Sequence, residues 1–163
     1  MRVSSFILAS FLSLSSLSGA QAQNAGIGPG DRSLSFEYTI NLFVAVCVKP
    51  KLVLTKSVET LIANKFKAHP QTGTYYNNVS DVSFKLNQAS GQKTCSMAFS
   101  SKEKAIELAT ALAISSANGG KVNIDPKTNR SQTKSSRNSY MTFTPVRRHN
   151  GRNYYRAVIS TAK

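Results

Sequence analysis

The run SLSFEYTINLFVAVCV, residues 33–48, constrains the fold more than any other segment. Apolar side chains occupy alternate positions from Leu34 to Val46, and polar residues separate them in the first half. This alternation is the period of a β-strand. From Phe43 onward both sides of the run are apolar, which is typical of a strand covered on both faces. The pattern therefore predicts a central strand that ends at Pro50.

The chain begins MRVSSFILASFLSLSSLSGAQAQ, with one basic residue, an uncharged core and the small-x-small sequence Ala20-Gln21-Ala22. This order is typical of a secretory signal peptide cleaved after Ala22. We expect a signal peptide over 1–22, a Gly-rich flexible leader over 23–32 and a single α+β domain over 33–163. No later run is long and apolar enough to span a bilayer, so we expect no transmembrane segment in the mature chain. The expected location is secreted and extracellular, with the bacterial periplasm as the alternative.

Two cysteines, Cys47 and Cys95, lie in the mature part of the chain. An even number of cysteines in an oxidising compartment favours a disulfide bond over two free thiols. We therefore predict a Cys47–Cys95 disulfide.

Local patterns predict the remaining elements. Thr55 is placed to cap a helix that carries Val58, Leu61, Ile62 and Phe66 on one face. DVSFKLNQ and KTCSMAFS predict a hairpin joined by ASGQ. Ser100-Ser101-Lys102-Glu103 has the form of a capping box before the helical segment KAIELATALAISSA, which Asn118-Gly119-Gly120 would end.

KVNI predicts a short strand, whereas residues 126–139 hold no large apolar side chain and predict a mobile loop.

This order of elements predicts a fold with one antiparallel sheet backed by two helices. The simplest arrangement is a split βαβ, ferredoxin-like sandwich followed by a C-terminal hairpin. Its central strands would carry the two cysteines as neighbours. The alternative divides the first run into two strands and gives a ribonuclease-like α+β fold with one helix on the sheet.

Positive charge concentrates at the C-terminal end of the chain. The protein has 21 Lys and Arg against 7 Asp and Glu, a formal net charge of +14, and ten of the basic residues follow residue 120. Asn150-Gly151 predicts the turn of a hairpin. With that turn, Arg147 is expected opposite Tyr154, Pro145 opposite Arg156, and Phe143 opposite Val158. Pro145 predicts that the first strand lies at a sheet edge.

The predicted binding residues surround this turn. Guanidinium groups pair with phosphate or carboxylate, and an aromatic ring stacks on a base or a sugar. The expected partner is a polyanion, either a nucleic acid or an acidic glycan, or else a host protein. The residues are Arg147, Arg148, Arg152, Tyr154 and Arg156.

Catalysis has weaker support in the sequence. A ribonuclease would use His149 with Arg147 and a carboxylate, for which Glu37 or Glu59 is available. None of these residues lies in a diagnostic motif, and the two histidines lack the clustered ligands of a zinc site. We expect a binding protein rather than an enzyme, with no metal and no cofactor.

The Ser/Leu-rich leader with a single Arg, the two cysteines and the basic, Ser/Thr/Asn-rich mature chain resemble the small secreted effector proteins of plant-pathogenic fungi. That resemblance implies a virulence function outside the producing cell. It also implies either a ribonuclease-like fold that binds RNA without cleaving it or a killer-toxin fold of the split βαβ type. A bacterial periplasmic interaction or inhibitor module is the alternative.

Overall fold

The computed structural model describes residues 29–117 and 121–161, and the predicted signal peptide lies outside these residues. The described chain forms a single eight-stranded sheet in the order β1-β2-β3-β4-β8-β7-β6-β5, in which every neighbouring pair is antiparallel. The helices are α1 (Phe36–Phe43), α2 (Leu54–Ala63) and α3 (Ala105–Ser116), with a π-helical turn over Val44–Val48. The strands are β1 (Lys67–Ala68), β2 (Thr74–Tyr76), β3 (Val82–Ala89), β4 (Gln92–Ser101), β5 (Val122–Ile124), β6 (Ser131–Ser136), β7 (Ser139–His149) and β8 (Arg152–Thr161).

The described helices lie on one side of the sheet, which we call the inner face. Helix α3 contacts β5, β6 and β7, and the π-helical turn contacts β4. Alternate residues of the strands are buried beneath these helices, as the strand period requires. We call the opposite side, on which none of the described helices packs, the outer face. The buried inner-face side chains include Phe84, Cys95, Met97, Phe99, Met141, Phe143, Tyr155 and Ile159.

The prediction of a central strand over residues 34–46 is wrong, because this run forms α1 and the π-helical turn. The backbone N–H of Lys49 donates to the carbonyl of Val44, which is the five-residue spacing of a π-helix. Pro50 follows the helical segment and prevents its continuation. The most deeply buried residues of the run are Thr39, Leu42, Phe43, Val46 and Cys47.

The buried positions explain why the strand prediction failed. Their spacing of three and four residues is that of a helix, whereas the alternating residues Phe36, Ile40 and Val44 are only partly buried. An apolar run that satisfies both periods does not distinguish the two structures. Thr39 is compatible with burial because its hydroxyl donates to the carbonyl of Ser35 at 2.7 Å.

The predicted disulfide is confirmed, with Cα atoms of Cys47 and Cys95 5.5 Å apart. It does not join neighbouring strands, however. Cys47 belongs to the π-helical turn and Cys95 to the centre of β4, so the bond links the helical layer to the inner face of the sheet.

The first hairpin is confirmed as β3 and β4, with Val82 opposite Phe99 and Leu86 opposite Cys95. Ser90 and Gly91 occupy its turn with φ angles of 49° and 78°. Two positive φ angles in succession are the geometry of a type I′ turn, which matches the twist of the flanking strands. The predicted loop before this hairpin contains the short strand β2.

Both predicted helices outside the first run form, but their predicted caps are wrong. The predicted packed face of the first is also partly wrong, because α2 ends at Ala63 before Phe66 and the Ile62 side chain is exposed. Helix α2 begins at Leu54 after Val53 rather than after Thr55. Ser100 and Ser101 end β4, and α3 begins only at Ala105. The Ser101 hydroxyl instead donates to the carbonyl of Leu34 at 2.9 Å. The predicted C-terminal stop of this helix at 118–120 lies outside the described residues.

The segment 126–139 is not the predicted mobile loop, because residues 131–136 form β6 between β5 and β7. Ser131, Thr133 and Ser135 are buried on its inner face, next to α3. Small side chains at these positions let α3 approach the sheet, while backbone pairing on both sides holds the strand. The lack of large apolar side chains was therefore not sufficient evidence for a mobile loop.

The α+β class and the antiparallel sheet backed by helices are confirmed. The ferredoxin-like split βαβ is not formed, because it requires residues 34–46 as a central strand. The ribonuclease-like alternative also required strands in that run. The neighbours at the centre of the sheet are β4 and β8, whose pairing extends from Thr94 opposite Ser160 to Ser101 opposite Asn153. No helix in the described part of the chain is both long and apolar enough to cross a membrane.

Candidate functional site

The C-terminal hairpin forms as predicted at its tip. Asn150 and Gly151 have φ angles of 48° and 74°, the positive values that this turn requires. Arg147 lies opposite Tyr154, as the sequence predicts, and His149 lies opposite Arg152. The turn therefore sets the positions of the basic residues around it.

Farther from the turn the predicted register is wrong by one residue. Pro145 lies opposite Tyr155 instead of Arg156, and Phe143 lies opposite Ala157 instead of Val158. The cause is a β-bulge between Pro145 and Arg147, which leaves Val146 without a partner. The prediction that this strand lies at a sheet edge is wrong, because β7 pairs with β8 on one side and with β6 on the other. Pro145 is tolerated because the β6 pairing ends at Phe143, so no described strand faces Pro145 on that side.

The bulge decides which face Arg147 occupies. Phe143 and Arg147 are four residues apart, so in a regular strand they would face the same side. The extra residue separates them. Phe143 faces the core, and Arg147 shares the outer face with Tyr154, which pairs in turn with Ser100 of β4.

Arg147 packs on the ring of Tyr154 within the outer face. The Cζ atom of Arg147 lies 5.2 Å from the ring centroid, a cation–π distance. Tyr154 is only 9% exposed. Its ring is therefore not available to stack on a base, contrary to the role that the sequence suggested.

Arg152 is engaged by a carboxylate that the sequence did not indicate. Its Nη1 lies 3.6 Å from Oδ2 of Asp81, which precedes β3 and is 2% exposed. Burial raises the pKa of Asp81, while hydrogen bonding from Ser100 and the charge of Arg152 act in the opposite direction. Burial also raises the pKa of Tyr154, and the neighbouring Asp81 adds to this increase. Asp81 carried no sequence signal because its partners are distant in the chain.

The remaining predicted basic residues are exposed. Arg148 and His149 lie at the tip of the hairpin. Arg156 lies on the outer face opposite Thr144, on the same side as Tyr154. Of the predicted set, Arg147, Arg148 and Arg156 are exposed, whereas Arg152 is half-buried beside Asp81 and the ring of Tyr154 is buried against Arg147.

A cleft of about 420 Å³ lies beside the tip, between the bulge of β7 and the segment that leads into α3. Lys102 and Lys104 line it from one side and Arg147 from the other. The hydroxyl of Tyr155 donates to the carbonyl of Glu103 at 2.8 Å, which fixes that segment against the hairpin. The sequence did not indicate Lys102 and Lys104 as site residues, because the capping-box interpretation assigned them to the start of a helix.

The structure does not bring the residues of the ribonuclease hypothesis into one contact set. Glu37 lies in the first turn of α1 and Glu59 in α2, both in the helical layer. Arg147 lies on the outer face of the sheet. No hydrogen bond or ion pair within residues 29–117 and 121–161 joins His149 to either glutamate. The same residues contain no cluster of three His, Cys, Asp or Glu side chains that could hold a metal ion.

No protein-family model, curated protein or solved structure matches this chain. The fold and the site themselves define the class: a basic, disulfide-bonded α+β protein in which helices cover one face of an antiparallel sheet. Three positive side chains, Lys102, Lys104 and Arg147, line the cleft beside the hairpin tip.

Proposed function

We propose that this protein is a secreted binding protein that engages an anionic partner through the tip of the β7–β8 hairpin. The observation that carries the proposal is the cleft, where Lys102, Lys104 and Arg147 surround one space against the single carboxylate of Glu103. Arg148 and His149 extend this basic surface beyond the cleft. The role in secretion and virulence rests on the leader and on the resemblance to effector proteins.

The distribution of charge supports an anionic partner. Among the described residues that line the cleft, Lys102, Lys104 and Arg147 are cations and Glu103 is the carboxylate. Glu107 pairs with Lys104 at 3.6 Å and offsets one of these cations, and a net positive charge remains. Exposed cations around a concavity attract anions and increase their local concentration. The guanidinium group of Arg147 is oriented by Tyr154, so less side-chain freedom is lost when it binds.

The proposal is tested by reversing charge at the tip with Arg147→Glu and Arg148→Glu in one variant. We expect binding to heparin and to single-stranded RNA to weaken by about tenfold or more, because phosphate or sulfate contacts are lost. The matched control is Lys49→Glu with Lys56→Glu, which changes net charge equally but lies in the helical layer. Affinity is measured by fluorescence anisotropy at several salt concentrations.

Equal binding by the tip variant and the wild type would remove the hairpin from the proposal. Absence of binding to either polyanion would favour a host protein as the partner. RNA that is cleaved by the wild type and left intact by His149→Ala would replace the binding role with a ribonuclease.

A further inference from the structure

The outer face differs from the surface of an ordinary two-layer protein because its centre is made of small side chains. On adjacent strands β3, β4, β8 and β7, the register places Ser83 beside Ala98 and Ser96 beside Val158, and Val158 beside Thr142. Ser83 and Ala98 are covered by their neighbours and are 1% and 7% exposed, whereas Ser96, Val158 and Thr142 are half-buried. The accessible part of this floor is therefore the row Ser96, Val158 and Thr142 across β4, β8 and β7.

Longer basic and aromatic side chains surround this small-residue floor. Tyr76 on β2 pairs with Ser83 and thus shares the outer face on one side of the floor. Tyr140 on β7 pairs with Ser160 and lies on the same face on the other side, with its side chain exposed. Four strand spacings separate β2 from β7 in the sheet, a width of about 19 Å.

The charge of the outer face is positive. Lys85 lies between Thr74 and Ser96 in the register, and Lys134 lies beside Tyr140. Arg156 lies in the row of Ala98 and Thr144. Asp81 places a carboxylate on this face, but its side chain is buried and paired with Arg152. It therefore does not offset the charge of the exposed lysines.

We infer that the outer face binds a single-stranded nucleic acid, with bases stacked on the tyrosines and phosphates paired with the surrounding lysines and arginine. This inference goes beyond the proposed function, because it adds a second surface and names the class of the anionic partner. Single strands bind to open sheets in this way because every base has an aromatic face and every linkage a negative charge. Small side chains in the floor let planar bases approach the strands closely.

Other occupants fit the face less well. A second copy of this chain would bring cations against cations, which opposes association. An acidic glycan offers Tyr140 a sugar ring but not the planar aromatic face of a base, so it would gain less from this side chain. A double helix keeps its bases inside and presents its phosphates on a curved surface rather than a broad, shallow one.

The first test measures the affinity for a labelled oligouridylate of about 12 nucleotides, and for the corresponding oligothymidylate, by fluorescence anisotropy. We expect Tyr140→Leu to weaken binding by about fivefold or more, the loss reported by one stacked base. The control is Tyr38→Leu on α1, where the tyrosine is 42% exposed against 37% for Tyr140. The control should bind as the wild type does.

The second test measures the salt dependence of binding. Replacing Lys85 and Lys134 by Gln removes two phosphate contacts, so the slope of log affinity against log salt should become shallower by about 0.7 for each cation removed. Replacing Lys56 by Gln in the helical layer should leave the slope unchanged. Because these lysines are exposed, the result does not depend on a destabilised fold.

The inference fails if Tyr140→Leu binds normally, if the slope does not change, or if duplex RNA or heparin competes as effectively as the single strand. The two proposals fail separately. Loss of binding only in the Arg147→Glu, Arg148→Glu variant would retain the hairpin site and reject the outer face. Loss only in the tyrosine and lysine variants would retain the outer face and reject the hairpin site.

Discussion

The inner and outer faces of the sheet are built from alternate residues of the same strands, yet they differ in what each residue contacts. Inner residues such as Phe99 and Met97 pack against the helices and are fully buried. Outer residues such as Ser96 and Lys85 contact no described helix and are small, polar or charged. The fold therefore constrains the inner face through packing against the helices, whereas none of the described helices constrains the outer face.

The first prediction concerns the covalent link of the inner face to the helical layer. Replacing Cys47 and Cys95 together by Ala should lower the free energy of unfolding by about 4 kcal/mol, because the bond closes a sequence separation of 48 residues. Urea denaturation measures the change, with the reduced wild type as a second comparison. A loss below about 1 kcal/mol would show that packing alone holds the layers together.

The second prediction compares neighbouring residues of β4. Met97→Ala should lower the free energy of unfolding by about 3 kcal/mol, because it leaves a cavity beneath the helices. Ser96→Ala, on the outer face, should change it by less than about 0.5 kcal/mol. Similar losses in the two variants, measured by thermal unfolding, would contradict the difference between the faces.

The third and smallest effect concerns Asp81, the buried carboxylate of the outer face. Burial raises its pKa above the ordinary value of 3.8, so the folded state holds this proton more strongly than the unfolded state. Its contribution to stability is therefore present below pH 3.8 and is lost as pH rises through the raised pKa. Asp81→Asn should remove this part of the pH dependence.

Denaturation of the wild type and of Asp81→Asn across about pH 3 to pH 7 isolates this contribution, because the other acidic groups are common to both proteins. Among them, Asp125 has a lowered pKa through hydrogen bonds from Thr128 and Lys127, and its contribution changes in the opposite direction. Parallel stability curves for the two proteins would show that Asp81 titrates equally in both states.

Elements with a local signal were predictable from the sequence. The turns at Ser90-Gly91 and Asn150-Gly151 require positive φ angles. Glycine and asparagine tolerate these angles, so their positions in the sequence indicated both hairpin turns. Helix α3 has a long helical pattern of its own. The disulfide needed only the count of cysteines.

Features that depend on distant contacts were not predictable. The run 33–48 satisfies two periods, and only the helical layer around it selects the helix. The bulge at Val146 lets Phe143 face the core and Arg147 face the outer side, although the two residues are four positions apart. That arrangement depends on the contacts of both side chains in the folded sheet. Asp81 forms an ion pair with Arg152, and the two side chains meet only when β8 lies beside β4.

The candidate site was therefore predicted in part. The sequence placed Arg147, Arg148 and His149 at the tip, because the turn orders them. It could not separate them from Arg152 and Tyr154, whose side chains the fold engages through Asp81 and Arg147. Lys102 and Lys104 join the cleft only because β4 continues to Ser101 and α3 begins at Ala105, which leaves residues 102–104 as a connection beside the hairpin.

The bond between Cys47 and Cys95 also has a consequence for proteolysis. The chain between them includes the exposed connection from Pro70 to Gly73, where a protease could cut. A single cut there would leave both fragments joined through the sulfur atoms. The nicked protein would separate into two pieces only after reduction of this bond. Until then the helical layer would keep its covalent attachment to the sheet.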